Sequence, residues 1–283
     1  MNLDPRHLLL VAALAVAPLA ACSSDGSDGA APETTAAEST ETTVAEAAAP
    51  LRILVSNDDG VGAEGIDALV EGLLTLDDVE VTVVAPLEQQ SGTGGSETEG
   101  EVATSEAETA GGYEATAVDG YPSDAVRVAV DEQGVEADLV VTGINEGQNL
   151  GPVIDASGTV GAARAAVARG IPALATSQGT GADAFDYEAA VPLILEWITE
   201  RRDALAAGEA PVEVASMNIP SCNDGEVRGV LEVEPDVAGD GGNPITAQDC
   251  ASTVPADDLD GDILAFNNGY ATLSIVAPEP AGE

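Results

Sequence analysis

The chain contains no lysine, and its one histidine, His7, lies within the first ten residues. All eight basic residues are arginines, set against 51 Asp and Glu, for a formal net charge of −43. Without Lys there is no P-loop. Without a His beyond position 7 there is no Ser-His-Asp triad and no imidazole ligand in the body of the chain. Any metal must then be held by oxygen, which favours Mg²⁺, Mn²⁺ or Ca²⁺ over Zn²⁺. No basic footprint exists for a nucleic-acid polymer. The acidity reads most simply as a solvated surface. It also repels phosphate at long range, so a phosphate ligand would need a bound cation and backbone N–H groups.

Long apolar runs are scarce too. Leu8–Leu19 is too short to span a membrane and suits a signal-peptide core, removed with residues 1–21. It ends in Leu19-Ala20-Ala21-Cys22, which resembles the lipobox of bacterial lipoproteins and implies a lipid on Cys22; an ordinary secreted protein cleaved near Ala21 is the alternative. After Cys22, residues 23–49 are Ser, Thr, Ala, Glu, Gly and Asp with one Pro, and Val44 is the lone large apolar residue, a composition too poor to bury a core. They read as a tether from membrane to domain. Cys222 and Cys250 are left as a pair, and in an exported protein a disulfide is the natural reading.

Residues 50–283 are enough for one sizeable domain. Arg52-Ile53-Leu54-Val55-Ser56 runs straight into Asn57-Asp58-Asp59-Gly60, and Ile66, Leu69, Val70, Leu73 and Leu74 follow at helical spacing. That order places Asp58 and Asp59 at the carboxyl end of a buried strand, where open α/β sheets bind ligands. A cation would relieve the repulsion of two adjacent carboxylates. A turn whose Asp caps the next helix would read the same way. Strand patterns recur at 79–86, 113–118, 137–145 and 171–177, and helix patterns at 123–130, 157–167 and 185–205. The alternation predicts an α/β fold: a three-layer, Rossmann-like, mostly parallel sheet with helices on both faces. From about 211 the pattern turns to strand-like runs at 212–219, 227–234 and 270–277, a β-rich C-terminal extension.

Four loops together resemble the SurE family of metal-dependent 5′-nucleotidases. They are Ser56-Asn57-Asp58-Asp59-Gly60; Gln90-Ser91-Gly92 with Ser96; Gly143-Ile144-Asn145 through Gly147, Asn149 and Gly151; and Ser157-Gly158-Thr159-Val160-Gly161. Each falls at a predicted strand end or helix start, in collinear order. The resemblance implies that Asp58, Asp59, Ser91 and Asn145 hold one divalent cation, Mg²⁺ or Mn²⁺ with Ca²⁺ also compatible. It implies that Ser157, Gly158 and Thr159 bind phosphate at a helix N-terminus, with Gly92 and Asn149 adding donors. For Ser157 alone, a simple helix cap is the competing reading. Asp58 and Asp59 are the catalytic candidates, and nucleoside 5′-monophosphates the implied substrates, with 3′-monophosphates or short polyphosphate as further classes. Arg164 is an extra cation, but its helical position favours a surface role. Ala156 departs from the family, where an aromatic or His often precedes Ser-Gly-Thr. The stretch between Val237 and Asp262 is shorter than in relatives, which leaves a homodimer open. A covalent aspartyl-phosphate route ranks low, since it uses Asp residues one apart and a Lys. The other class of function is a non-catalytic nucleotide- or solute-binding lipoprotein; seven aromatics and the absence of a second α/β lobe speak against it.

Overall fold

Residue alternation along the first strand sets the layering. In β1 (Leu51–Ser56) the side chains of Leu51, Ile53 and Val55 join one core and Leu54 joins another. Both faces of the strand are therefore buried, as in a sheet covered by helices on each side. The computed structural model describes residues 49–180, 185–246 and 248–280. The signal-peptide, Cys22-lipid and tether expectations thus fall outside the described residues, apart from Ala49.

The first core lies under α1 (Glu64–Leu73). Ile66, Leu69, Val70 and Leu73 fill one face of that helix. After β2 (Val79–Pro86), β3 (Thr104–Glu108), β4 (Glu114–Val118), α2 (Pro122–Arg127), β5 (Leu139–Glu146), α3 (Gly158–Val167) and β6 (Ala173–Gln178) comes α4 (Tyr187–Ala206), which joins α1 on this face. Its buried stripe is Ala190, Ile194, Trp197, Ile198 and Leu205. The second core packs α2 and α3 on the opposite face, mostly through Ala and Val. Full burial of a large aliphatic side chain is worth about 1.5–3 kcal/mol, so the two cores dominate the stability of the three layers. β7 (Val214–Ile219), β8 (Val230–Glu232), α5 (Asp262–Asn267) and β9 (Ala271–Val276) complete the chain.

The nine described strands form one sheet in the order β3-β4-β2-β1-β5-β6-β7-β9-β8. Six adjacent strands, β4 to β7, run parallel. β3 pairs antiparallel with β4, and β9 antiparallel with β7. From β1 the chain moves outward to β2 and β4, then returns to the other side of β1 as β5. The order reverses between β1 and β5, the place where open α/β sheets bind ligands at the strands' carboxyl ends.

Several expectations needed correction. The run at 212–219 is β7, a full member of the parallel sheet, so the β-rich part begins only after it. The run at 227–234 contracts to three residues. β3 gave no signal because Thr104-Ser105-Glu106-Ala107-Glu108 is polar and mostly exposed on the sheet's edge. α5 went unread because six residues are too few to show a helical period. Among the described residues no helix is long and apolar enough to cross a membrane.

Candidate active site

The loops after β1 and β5 meet at the reversal point. Asp58 is 2% exposed, and its Oδ1 accepts the Thr159 hydroxyl at 2.6 Å. Its carbonyl accepts the Gln90 N–H at 2.6 Å, which brings the loop after β2 alongside. Asp59 Oδ2 accepts the Glu146 N–H at 3.0 Å, one residue past Asn145. Neither Asp caps α1: the residue at that position is Ala63, with no side-chain cap. The turn closes instead through Asn57, whose Nδ2 donates to the Gly60 carbonyl at 2.8 Å. The capping explanation for the paired carboxylates therefore fails.

Phosphate-type geometry comes from α3. Ser157 is its N-cap, with Oγ accepting the Val160 N–H at 3.1 Å. Cap and anion site are compatible, because the Gly158 N–H has no acceptor within the helix, while the Thr159 N–H is directed to the Asp58 carboxylate. A Cβ at Gly158 would lie 2.8 Å from Asp58 Cβ and Oδ2, so only glycine lets this helix start press against the carboxylate. The loop after β2 is fixed to the same place by the Gly94 N–H, which donates to the Ala156 carbonyl at 3.0 Å.

Burial pushes the Asp58 carboxyl up to about 6; the Thr159 hydroxyl pulls it back and the Asp59 charge raises it further. Burial raises Asp59 as well, opposed by the Glu146 N–H and the Gln89 side chain. Two carboxylates held this way are short of positive charge. Asp59 Oδ1 and Asn57 Oδ1 are buried without a hydrogen-bond partner. Asn145 Nδ2 donates to the Gly147 carbonyl at 2.6 Å, which leaves its oxygen as an acceptor. Among the described residues no three His, Cys, Asp or Glu side chains converge. The set on offer is instead two carboxylates with neutral Ser and Asn oxygens, a donor chemistry that fits a hard divalent cation.

The structure thus brings together Asp58, Asp59, Asn145, Ser157, Gly158 and Thr159. Ser91 and Gly92 follow directly after Gln90 and are exposed at the rim. Asn149 is turned inward: its Nδ2 donates to Ser177 Oγ at 3.0 Å and its N–H to Asn218 Oδ1 at 2.7 Å. Asn218 was missed as a support of this loop, although Met217-Asn218-Ile219-Pro220 stands at the end of a strand pattern. Gln89 and Asn57 were also missed; each lies within two residues of a residue that was read. Arg164 is not a surface cation. It is 6% exposed, with Nε donating to the Ala277 carbonyl at 3.0 Å and Nη2 to Asp155 at 2.7 Å. The other described arginines are engaged away from the site, with acids (Arg52, Arg127, Arg169, Arg201) or with backbone carbonyls (Arg202, Arg228). Cys222 and Cys250 form the expected disulfide, with Cα atoms 5.7 Å apart.

Residues 53–235 match the family model described as survival protein SurE. The chain belongs to the SurE family. A Burkholderia lata protein named 5′-nucleotidase SurE 1 is 34% identical over 238 residues, covering 79% of this chain and 89% of that protein. A Brevibacillus brevis protein named 5′-nucleotidase SurE is 41% identical over 187 residues, 64% of this chain and 71% of its own length. A Methanopyrus kandleri protein of that name reaches 45% identity over 129 residues, about half of its length (49%). The crystal structure of the SurE protein from Aquifex aeolicus superposes with a TM-score of 0.63 at 24% identity, over 81% of this chain and 94% of that one. That likeness gives the SurE-family chain the same mostly parallel α/β fold. The matched segment contains every candidate cation and phosphate residue named above.

Proposed function

We propose that this chain is a metal-dependent phosphomonoesterase acting on nucleoside 5′-monophosphates. One observation carries the reading: Asp58, buried, and Asp59, half-buried, stand at the β1–β5 reversal point, and Asp58 is bonded to Thr159 in the first turn of α3. The names of the relatives supply the substrate class. In this reading Asp58, Asp59, Ser91 and Asn145 hold one Mg²⁺ or Mn²⁺. When bound, the cation supplies positive charge to the phosphoryl oxygens and makes water more acidic. The chain's own groups do the rest. Gly158 presents its N–H to the charge that develops on the equatorial oxygens. Thr159 holds Asp58 by its Oδ1, which leaves Oδ2 to take a proton from water. Ser157 fixes the turn and keeps its hydroxyl proton for a phosphate oxygen.

We also place the protein outside the cytoplasm, anchored through Cys22. The supports are Leu19-Ala20-Ala21-Cys22 and the Cys222–Cys250 disulfide, a bond that persists in oxidising compartments.

The test is phosphate release from nucleoside 5′- and 3′-monophosphates and short polyphosphate by the full chain, with Mg²⁺, Mn²⁺ or EDTA. Metal-dependent release that disappears in Asp59→Asn supports the reading. A folded protein that releases phosphate from none of them refutes it, and leaves a lipoprotein that binds nucleotide without turnover.

A further inference from the structure

The turn that carries Ser157–Thr159 is anchored from a distant part of the chain. α5 lies beyond residue 235, outside the segment matched by the family model. Its first residue, Asp262, is 1% exposed and is surrounded by backbone donors. Asp262 Oδ2 accepts the Gly151 N–H at 2.8 Å across 111 residues. Oδ1 accepts the N–H groups of Asp236 and Ile263, each at 2.8 Å. Gly151 opens the 3₁₀ turn Gly151–Ala156, whose last residue precedes Ser157.

Apolar contacts reinforce this link. Leu150, Ile263 and Phe266 form a separate small core, all at 0% exposure. A Cβ at Gly151, where φ is +51°, would stand 2.6 Å from Ile263 Cδ1 and 2.7 Å from the Asp236 carbonyl oxygen. The loop therefore enters its turn pressed directly against α5. Burial and the nearby Asp236 charge push the Asp262 carboxyl up, opposed by three backbone N–H groups that fix where the turn begins. Packing alone could hold α5 in place, but it would not fix the direction of the Gly151 N–H. A carboxylate that bonds that N–H does.

We propose that Asp262 is a positioning residue for the phosphate-binding turn, setting Gly151–Ala156 so that the Gly158 N–H and the Ser157 hydroxyl face the phosphate. The inference rests on the functional reading above and adds a residue to it. Asp262→Asn puts an amide donor against backbone donors at one of the two oxygens. The Gly151–Ala156 turn shifts, while Asp59 keeps the Glu146 N–H, Asn145 the Gly147 carbonyl and the Asp58 backbone its bond from Gln90. Substitutions that loosen the support of a binding group without touching the ligand cost about 10–100-fold.

The measurements are inorganic phosphate as a competitive inhibitor and, separately, Mn²⁺ affinity, on the full chain. Leu205→Ala, a cavity near the far end of α4, serves as the control for general destabilisation. The expected result for Asp262→Asn is a phosphate Ki raised at least about tenfold with Mn²⁺ affinity within about twofold. Leu205→Ala should leave both unchanged at a similarly lowered Tm. If Asp262→Asn does not fold, Asp262→Glu, which keeps the charge on a longer stem, is read against the same criteria. An unchanged phosphate Ki overturns the positioning role while phosphate inhibition of the parent keeps the functional reading intact. An equal rise in Leu205→Ala also overturns it. A parent that binds Mn²⁺ but no phosphate overturns both.

Discussion

Removing the charge of Asp58 should stabilise the metal-free protein, and only above a defined pH. The carboxyl is buried and pushed from 3.8 to about 6. A folded-state pKa above the unfolded one favours the protonated form. Its contribution to stability is fully present below 3.8 and is lost as pH rises through about 6. A difference of about 2 units corresponds to about 3 kcal/mol at 1.36 kcal/mol per unit. Asn keeps the carbonyl that accepts the Thr159 hydroxyl and carries no charge, so Asp58→Asn resembles the protonated parent. In EDTA, the two proteins should be about equally stable at pH 4. At pH 7.5 the variant should be the more stable by up to about 3 kcal/mol, or about 6–12 °C in Tm for a domain of this size. Acids remote from Asp58 cancel in the difference; relief of the repulsion between Asp58 and Asp59 acts in the same direction as the predicted gain. Urea unfolding at the two pH values measures it. Saturating Mn²⁺ should reverse the order, because the parent alone keeps both carboxylates for the cation. A variant less stable than the parent at pH 7.5 in EDTA, or a difference that does not change with pH, would refute the reasoning.

Three other outcomes are expected. Asp59→Asn should weaken Mn²⁺ binding at least about tenfold, read by titration, since Asp59 supplies one of the two charges in a hard-ligand set. Ser157→Ala should cost about 1 kcal/mol of stability through the lost cap and raise KM with Mn²⁺ affinity kept; an unchanged KM would remove Ser157 from the phosphate site. Reducing Cys222–Cys250, separated by 28 residues in sequence, should cost about 3.5 kcal/mol with kcat retained in the protein that stays folded, measured by urea unfolding with and without reductant.

The sequence carried some features of the site clearly and others not at all. Asp58 and Asp59 were legible because an apolar β-strand pattern ends on them, and strand ends locate ligands in open α/β sheets. Ser157–Thr159 were legible because a Ser-Gly-Thr step opens an Ala- and Val-rich helical run. In both cases the functional residue sits next to a periodic signal. Asp262 has no such neighbour: α5 is six residues long, and its purpose depends on Gly151, far away in the chain. Asn149 could be read as a donor but not oriented, since its partners Ser177 and Asn218 sit on two other strand ends. Arg164 was misplaced because a mid-helix Arg has no sequence mark that distinguishes a surface from a buried position. What it bonds, the Ala277 carbonyl, lies 113 residues on.

The way the arginines are spent has a kinetic consequence. Each described one is bonded to acids or carbonyls of the protein itself, in a chain of net charge −43. An approaching phosphate monoester meets a repulsive field until it reaches the site. Most enzymes that take anions lose encounter rate as salt screens their attraction. Here salt screens a repulsion, so kcat/KM should rise with ionic strength while kcat stays level. An enzyme built this way would work faster in brine than in dilute buffer.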